Sequence, residues 1–277
     1  MKTMMHKVPL LSVAMVITVL VLTAPLSWAD EHDEEPLPVG RLFFQLNDTD
    51  EDLGFHLLVD GEPWKTLEID DPRDRRILLT NLQGRLRRQG LTEFKFESAE
   101  PNFEEFSAER FFRRFPEGEY DIEARRLDGG EYETTAVISH VLPAPPGGLS
   151  VDGTLIPEDC EADPVTVSAN EAPLISWEAV TMSHPEIGTL PAAGIGIVRY
   201  EVSVERDEVV DEVTEMVVKP FLTLEANLEV LTEPVTQFQV PSGVLFPGDE
   251  VKFQILVQAV NGNETSSESC FVVGGAS

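Results

Sequence analysis

Apolar and polar residues alternate along most of this chain, and the alternation is cleanest over residues 244–261. Val251, Phe253, Ile255, Val257 and Ala259 share one face, with Lys252, Gln254 and Gln258 on the other. That is the period of two of a strand with one buried side. Leu256 is the only apolar residue on the polar face before Val260. Phe246-Pro247-Gly248-Asp249 leads into the strand and Asn261-Gly262-Asn263 leaves it, both rich in turn-forming residues. The same period predicts strands over 41–46, 53–59 and 64–69, the last two joined by a turn at Asp60-Gly61, and over 77–79, 91–97, 120–125 and 132–141. One stretch breaks the rhythm. Phe103, Phe106, Ala108, Phe111, Phe112 and Phe115 recur at helical spacing, which predicts a short amphipathic helix ending before Pro116, its phenylalanines turned into the core.

Pro143-Ala144-Pro145-Pro146-Gly147-Gly148 has the composition of a short, stiff, exposed connector and divides a first domain, 40–142, from a second, 143–277. In the second, strands are predicted over 145–151, 173–178, 197–205, 222–230, 236–240 and 269–273, with Val198, Tyr200, Val202 and Val204 on a core face. Trp177 is the natural centre of its core. Pro145 to Val151, the Ile175-Ser176-Trp177 segment, Ile197 to Glu205 and the strand after Gly248 together resemble a fibronectin type III domain, as in secreted bacterial proteins that carry such domains. The resemblance covers 143–274 and implies a β-sandwich. The first domain is similar only in architecture: Phe115-Pro116-Glu117-Gly118-Glu119-Tyr120 resembles the tyrosine corner of immunoglobulin-like sandwiches, which implies that the Tyr120 hydroxyl bonds back to the chain just upstream. Two features depart from the type III pattern. Val251 stands where its corner tyrosine falls, and the loop 181–196 is long. That loop and a polar loop over 261–267 are expected at the end of the sandwich often used for binding, with His184, Asn261 and Asn263 as binding-loop candidates. The fold class is therefore all-β: two tandem β-sandwich domains with one short helix in the first.

The start of the chain is different. Lys2 and Lys7, an apolar run over 8–22 and Ser27-Trp28-Ala29 before Asp30 form a secretory signal peptide over 1–29, so the mature protein is expected to be secreted or periplasmic, with no membrane span after cleavage. Residues 30–39 are an acidic, proline-flanked leader expected to be disordered. With Lys2 and Lys7 set aside, 18 basic residues face 50 acidic ones, a net charge near −32. Such a surface repels nucleic acid and anionic lipid. The balance is uneven: the mature chain through Pro143 has 14 basic and 28 acidic residues, and the rest has 4 and 22. Arginines from Arg73 to Arg126 either pair locally or form a positive patch for the acidic second domain or an anionic polysaccharide. Cys160 and Cys270, the only cysteines, read as one structural disulfide in an oxidising compartment, since no histidine lies close enough in sequence to suggest a metal site.

No resident cofactor is implied, and Ca²⁺ is the one candidate. Asp48, Asp50 and Asp52 offer alternate oxygens, but Gly54 and Val59 miss the EF-hand positions, and a solvated turn between strands has the same composition. A second acidic run, from Glu201 to Glu215, reads as an exposed hairpin or a surface for a basic partner. His32, His56, His140 and His184 are scattered, with no metal or nucleophile spacing. Asn47 and Asn263 begin glycosylation sequons. The expected function is non-enzymatic, a binding or spacer protein for an unknown protein or polysaccharide; a calcium-dependent envelope protein and a polysaccharide-binding accessory protein are the alternatives. An exposed Trp64 or Tyr132 on a flat face would favour the last.

Overall fold

The computed structural model describes residues 34–158, 160, 164–167, 172–210 and 217–275. The segment read as a signal peptide, 1–29, and His32 lie outside them. The first half contains β1 (Glu34–Glu35), β2 (Val39–Asn47), β3 (Asp52–Asp70), β4 (Arg76–Asn81), α1 (Gly84–Gln89), β5 (Leu91–Glu97), α2 (Ala108–Arg114), β6 (Gly118–Arg126) and β7 (Glu131–Ile138). The second contains β8 (Ser150–Val151), β9 (Thr154–Leu155), β10 (Val165–Val167), β11 (Leu174–Ser176), β12 (Ile197–Arg206), β13 (Val209–Val210), β14 (Val217–Lys219), β15 (Leu222–Glu229), β16 (Gln237–Gln239), β17 (Glu250–Ala259) and β18 (Glu264–Val273). The chain is an all-β protein, and its two halves bury separate hydrophobic cores, one around Phe44, Phe55 and Trp64 and the other around Trp177, Tyr200 and Phe253.

In the first half, the expected turn at Asp60-Gly61 is absent. β3 runs unbroken for 19 residues and changes partners along its length. Its early part pairs with β2 and β5 and its later part with β6 and β4, with an irregularity between Asp60 and Trp64. One bent strand thus serves both layers of the sandwich, a corner made by a bulge rather than a hairpin. The two layers meet through Phe55, which stacks on Phe115 at 4.6 Å and contacts Tyr120 on β6. The predicted helix shrinks to α2, but Phe103, Phe106, Phe112 and Phe115 pack against the core beside buried Phe111, as their spacing predicts. A second helix, α1, had no apolar stripe to announce it and buries nothing. The leader is not free either: Glu34 and Glu35 pair in parallel with β7, Leu37 is buried in the core, and Arg126 holds Glu35.

Tyr120 makes the corner implied for it, its hydroxyl donating to the Pro116 carbonyl at 2.9 Å. Burial pushes the phenol pKa up, so it remains a donor. Tyr120→Phe is expected to lower the unfolding free energy by about 1 kcal/mol, read as a lower urea midpoint at unchanged slope.

The second half is a sandwich of two sheets. One has the order β16-β11-β8-β9, and the other contains β18-β17-β12-β15 with β10 added in parallel to β18. The core face of β17 is fully buried, and Trp177 packs tilted on Tyr200 at 5.5 Å. Val198 departs from its expected core position. A register shift between Ile197 and Arg199 turns it outward while Ile197 packs on the core. The Pro/Gly connector is not exposed along its length, because Leu142, Pro143 and Pro146 are all buried.

The largest difference concerns residues 261–267. They are not a polar loop: after the tight turn at Gly262 the chain enters β18, whose first residues pair in parallel with β2, Glu264 with Gln45, Thr265 with Leu46 and Ser266 with Asn47. A single ladder β5-β3-β2-β18-β17-β12-β15 therefore crosses both halves. The Thr-Ser-Ser-Glu-Ser segment is buried; Thr265 and Ser269 donate their hydroxyls to the Pro143 and Pro157 carbonyls at 2.8 and 2.6 Å, while Ser267 Oγ is buried without a partner. A polar strand can be buried when its hydroxyls are paired in this way.

Candidate functional site

The binding-loop candidates converge on the seam where β18 meets β2. The Asn263 side chain accepts from the Phe44 amide at 2.9 Å and donates to the Ser139 and Val141 carbonyls at 2.7 and 2.9 Å. Its sequon is therefore closed to glycosylation in the folded protein. Asn261 Nδ2 also donates to Val141 O, at 2.8 Å. His184 is buried, and its Nδ1 accepts from the Glu186 and Ile187 amides. That assigns the proton to Nε2, which donates to Asp48 Oδ1 at 2.9 Å. The long loop 181–196 straps the second half to the first: the Thr189 amide donates to His140 O at 2.9 Å, the His184 amide to Leu142 O at 2.8 Å, and Ile187 packs on the first core. Gly188, at φ +89°, lies so close that a Cβ there would fall 2.1 Å from His140 O.

The acidic triplet sits along the same seam with separate partners. Asp48 binds His184, Asp50 accepts from Asn47 Nδ2 at 3.0 Å, and Asp52 lies on β3 near Glu100 and Glu268. Among the described residues no group of three or more His, Cys, Asp or Glu side chains forms a metal cluster. Burial, with Glu100, Asp50 and Glu268 nearby, pushes the Asp52 carboxyl up to about 6. A carboxyl raised in the folded state contributes most below its unfolded value near 4, and that contribution is lost as pH rises through about 6. Asp52→Asn is therefore expected to raise the melting temperature at pH 7.5, with the gain fading below pH 4; after solvent screening the effect is about 1 kcal/mol.

Cys160 and Cys270 form a disulfide that ties the segment after Pro157 to β18. Five arginines of the first half pair locally, Arg75 with Asp71, Arg76 with Glu68 and Asp70, Arg113 with Glu109, Arg125 with Glu131 and Arg126 with Asp128. Arg110 and Arg114 lie over the Phe106 ring. The described histidines are held structurally as well, His56 by Glu100 at 3.1 Å and His140 by the Phe115 carbonyl at 2.8 Å. Trp64 and Tyr132 are both buried, so neither offers a flat aromatic platform. Part of the second acidic run, Asp211, Glu212 and Glu215, lies outside the described residues; before it, Glu201 and Glu205 project from β12 and Asp207 and Glu208 are exposed.

Sequence reasoning missed a cleft on the outer face of the shared ladder, of about 430 Å³. The central strands supply its floor, where Phe43 stacks on His56 at 5.2 Å and Leu256 and Glu264 are buried. Arg41, over the Phe43 ring, Lys95 and Glu97 line the first half's side, and Arg199, Glu201 and Asn227 the second half's. Glu264 accepts from Arg199 Nη2 at 3.2 Å and Gln258 Nε2 at 2.5 Å, and burial raises its pKa despite Arg199 and Arg41. Arg199 Nε is buried without a partner. Leu256 and Gln258, on the expected wet face of β17, are both buried; Leu256 lines the cleft and Gln258 is held by Glu264.

No protein-family model matches the sequence, and no curated protein matches it. Among solved structures, the chain is similar to a tetra-tandem repeat in the extending region of a large adhesion protein, at 13% identity over 85% of this chain and 49% of that one, with a TM-score of 0.26. It is similar to the FN1–FN3 domains of chicken CNTN1, at 10% identity over 87% and 69%, with a TM-score of 0.31. A bacterial ice-binding adhesin is matched at 10% identity over 87% and 66%, with a TM-score of 0.22. The chain spans about half the length of the first of these.

Proposed function

We propose that this chain is a non-enzymatic spacer and binding module working outside the cytoplasm, in which two β-sandwiches act as one rigid piece. The observation that carries this reading is the pairing of β18 with β2, which runs one hydrogen-bonded ladder through both halves. A flexible tether would leave the loops at this end free for partners, whereas here Asn261, Asn263 and His184 are all committed to the seam. The disulfide fits an oxidising compartment. No described helix is long and apolar enough to cross a membrane. Engagement of His56, His140 and His184 in structural bonds agrees with a role other than catalysis.

Backbone ¹⁵N relaxation tests the reading. One rotational correlation time shared by both halves is expected, and two independent times would refute the rigid joint. Turnover on a panel of glycan and peptide substrates would refute the non-enzymatic assignment.

A further inference from the structure

We propose that the cleft between the two halves is a binding site for a neutral saccharide unit. This rests on the reading of the chain as a binding module and names its ligand class. The cleft lies at the junction of two sandwiches and falls within the size range of small-ligand sites. Its charged lining is balanced, with Arg41, Lys95 and Arg199 against Glu97, Glu201 and Glu264, in a chain of formal net charge −30. A strongly anionic ligand meets three carboxylates there and a cationic one meets two guanidiniums and an ammonium. A hydroxyl is donor and acceptor at once, and suits a wall that mixes guanidinium, carboxylate and carboxamide groups.

The site is built rather than incidental. Glu264 is 4% exposed and held from two sides by Arg199 and Gln258, so its position is fixed before any ligand arrives. Arg199 keeps a part-exposed side chain on the cleft wall while its Nη2 holds Glu264. Leu58 and Leu256 give the cleft an apolar surface for the C–H face of a sugar ring. The polar residues come from both halves, so the site exists only while the seam is closed.

The test is ¹⁵N–¹H shift mapping of the mature, disulfide-bonded chain with glucose, galactose, N-acetylglucosamine and their β-linked disaccharides. Concentrations of about 50 mM populate millimolar complexes. At least one sugar is expected to shift amides around Arg41, His56, Lys95, Arg199 and Asn227 and few elsewhere. Lys95→Ala and Asn227→Ala change exposed wall residues and are expected to weaken binding about fivefold or more without altering the melting temperature. No shift with any sugar, shifts confined to other surfaces, or affinity unchanged in both variants would each overturn the proposal. So would shifts with glycylglycine and none with sugars, which would assign the cleft to a zwitterion. A single tumbling time with a silent cleft overturns this inference alone, and leaves the rigid-spacer reading in place.

Discussion

Asn263→Ala is expected to destabilise the protein by about 3 kcal/mol and to loosen the joint between its halves. The side chain is 1% exposed and satisfies three backbone groups of the first half. Val141 O keeps a second donor in Asn261, but the Phe44 amide and Ser139 carbonyl lose these bonds. A buried group stranded in this way costs about 1–3 kcal/mol, and two of them give the stated total. Urea unfolding measures the loss. Amide exchange locates it: faster exchange at Phe44 and along the Glu264–Ser266 pairing with β2 is expected, while β12 and β15 keep their protection. Uniform acceleration across both cores would mean that the residue supports folding in general and not the seam.

Removing the disulfide is expected to cost more. The Cys160→Ser, Cys270→Ser double variant should lose about 4 kcal/mol, because the bond closes a loop across a sequence separation of 110 residues and restricts the unfolded chain accordingly. For a chain of this size the melting temperature should fall by roughly 10 °C. Reduced wild-type protein should melt with the double variant, which separates loss of the bond from any effect of the serines. The loss should reach both halves, since Cys270 lies on β18, the strand that also pairs with β2.

What was legible in the sequence follows from which faces a strand's own sandwich covers. Val251 to Ala259 and Tyr120 to Ala124 were read correctly because each has one side on its own core, and the period of two records that directly. Leu256 sits on the opposite side of β17, at the floor of a cleft whose other wall includes Lys95 and Glu97, more than 150 positions away, and local pattern carries no trace of it. Residues 261–267 read as a polar loop, since asparagine, threonine and serine are the composition of loops; the burial of Thr265 depends on the Pro143 carbonyl, which only tertiary structure supplies. Asp60-Gly61 carries a hairpin-turn signal, yet it falls within a strand bent by an irregular register. At Val198 a single slipped residue reversed the alternation. The candidate residues His184, Asn261 and Asn263 lie along the seam, each bonded to residues of the first half. The cleft, assembled from seven strands, had no compact motif to announce it.

The pairing of β2 with a strand some 220 positions downstream sets the order in which the molecule can be completed. Contacts so remote along the chain form late and slowly. Until β18 arrives, the first half holds an open row of amides and carbonyls along β2, the kind of edge on which incomplete molecules stick to one another. The surplus of 30 negative charges, which has no counterpart in either core, keeps such half-built chains apart in solution while that edge waits.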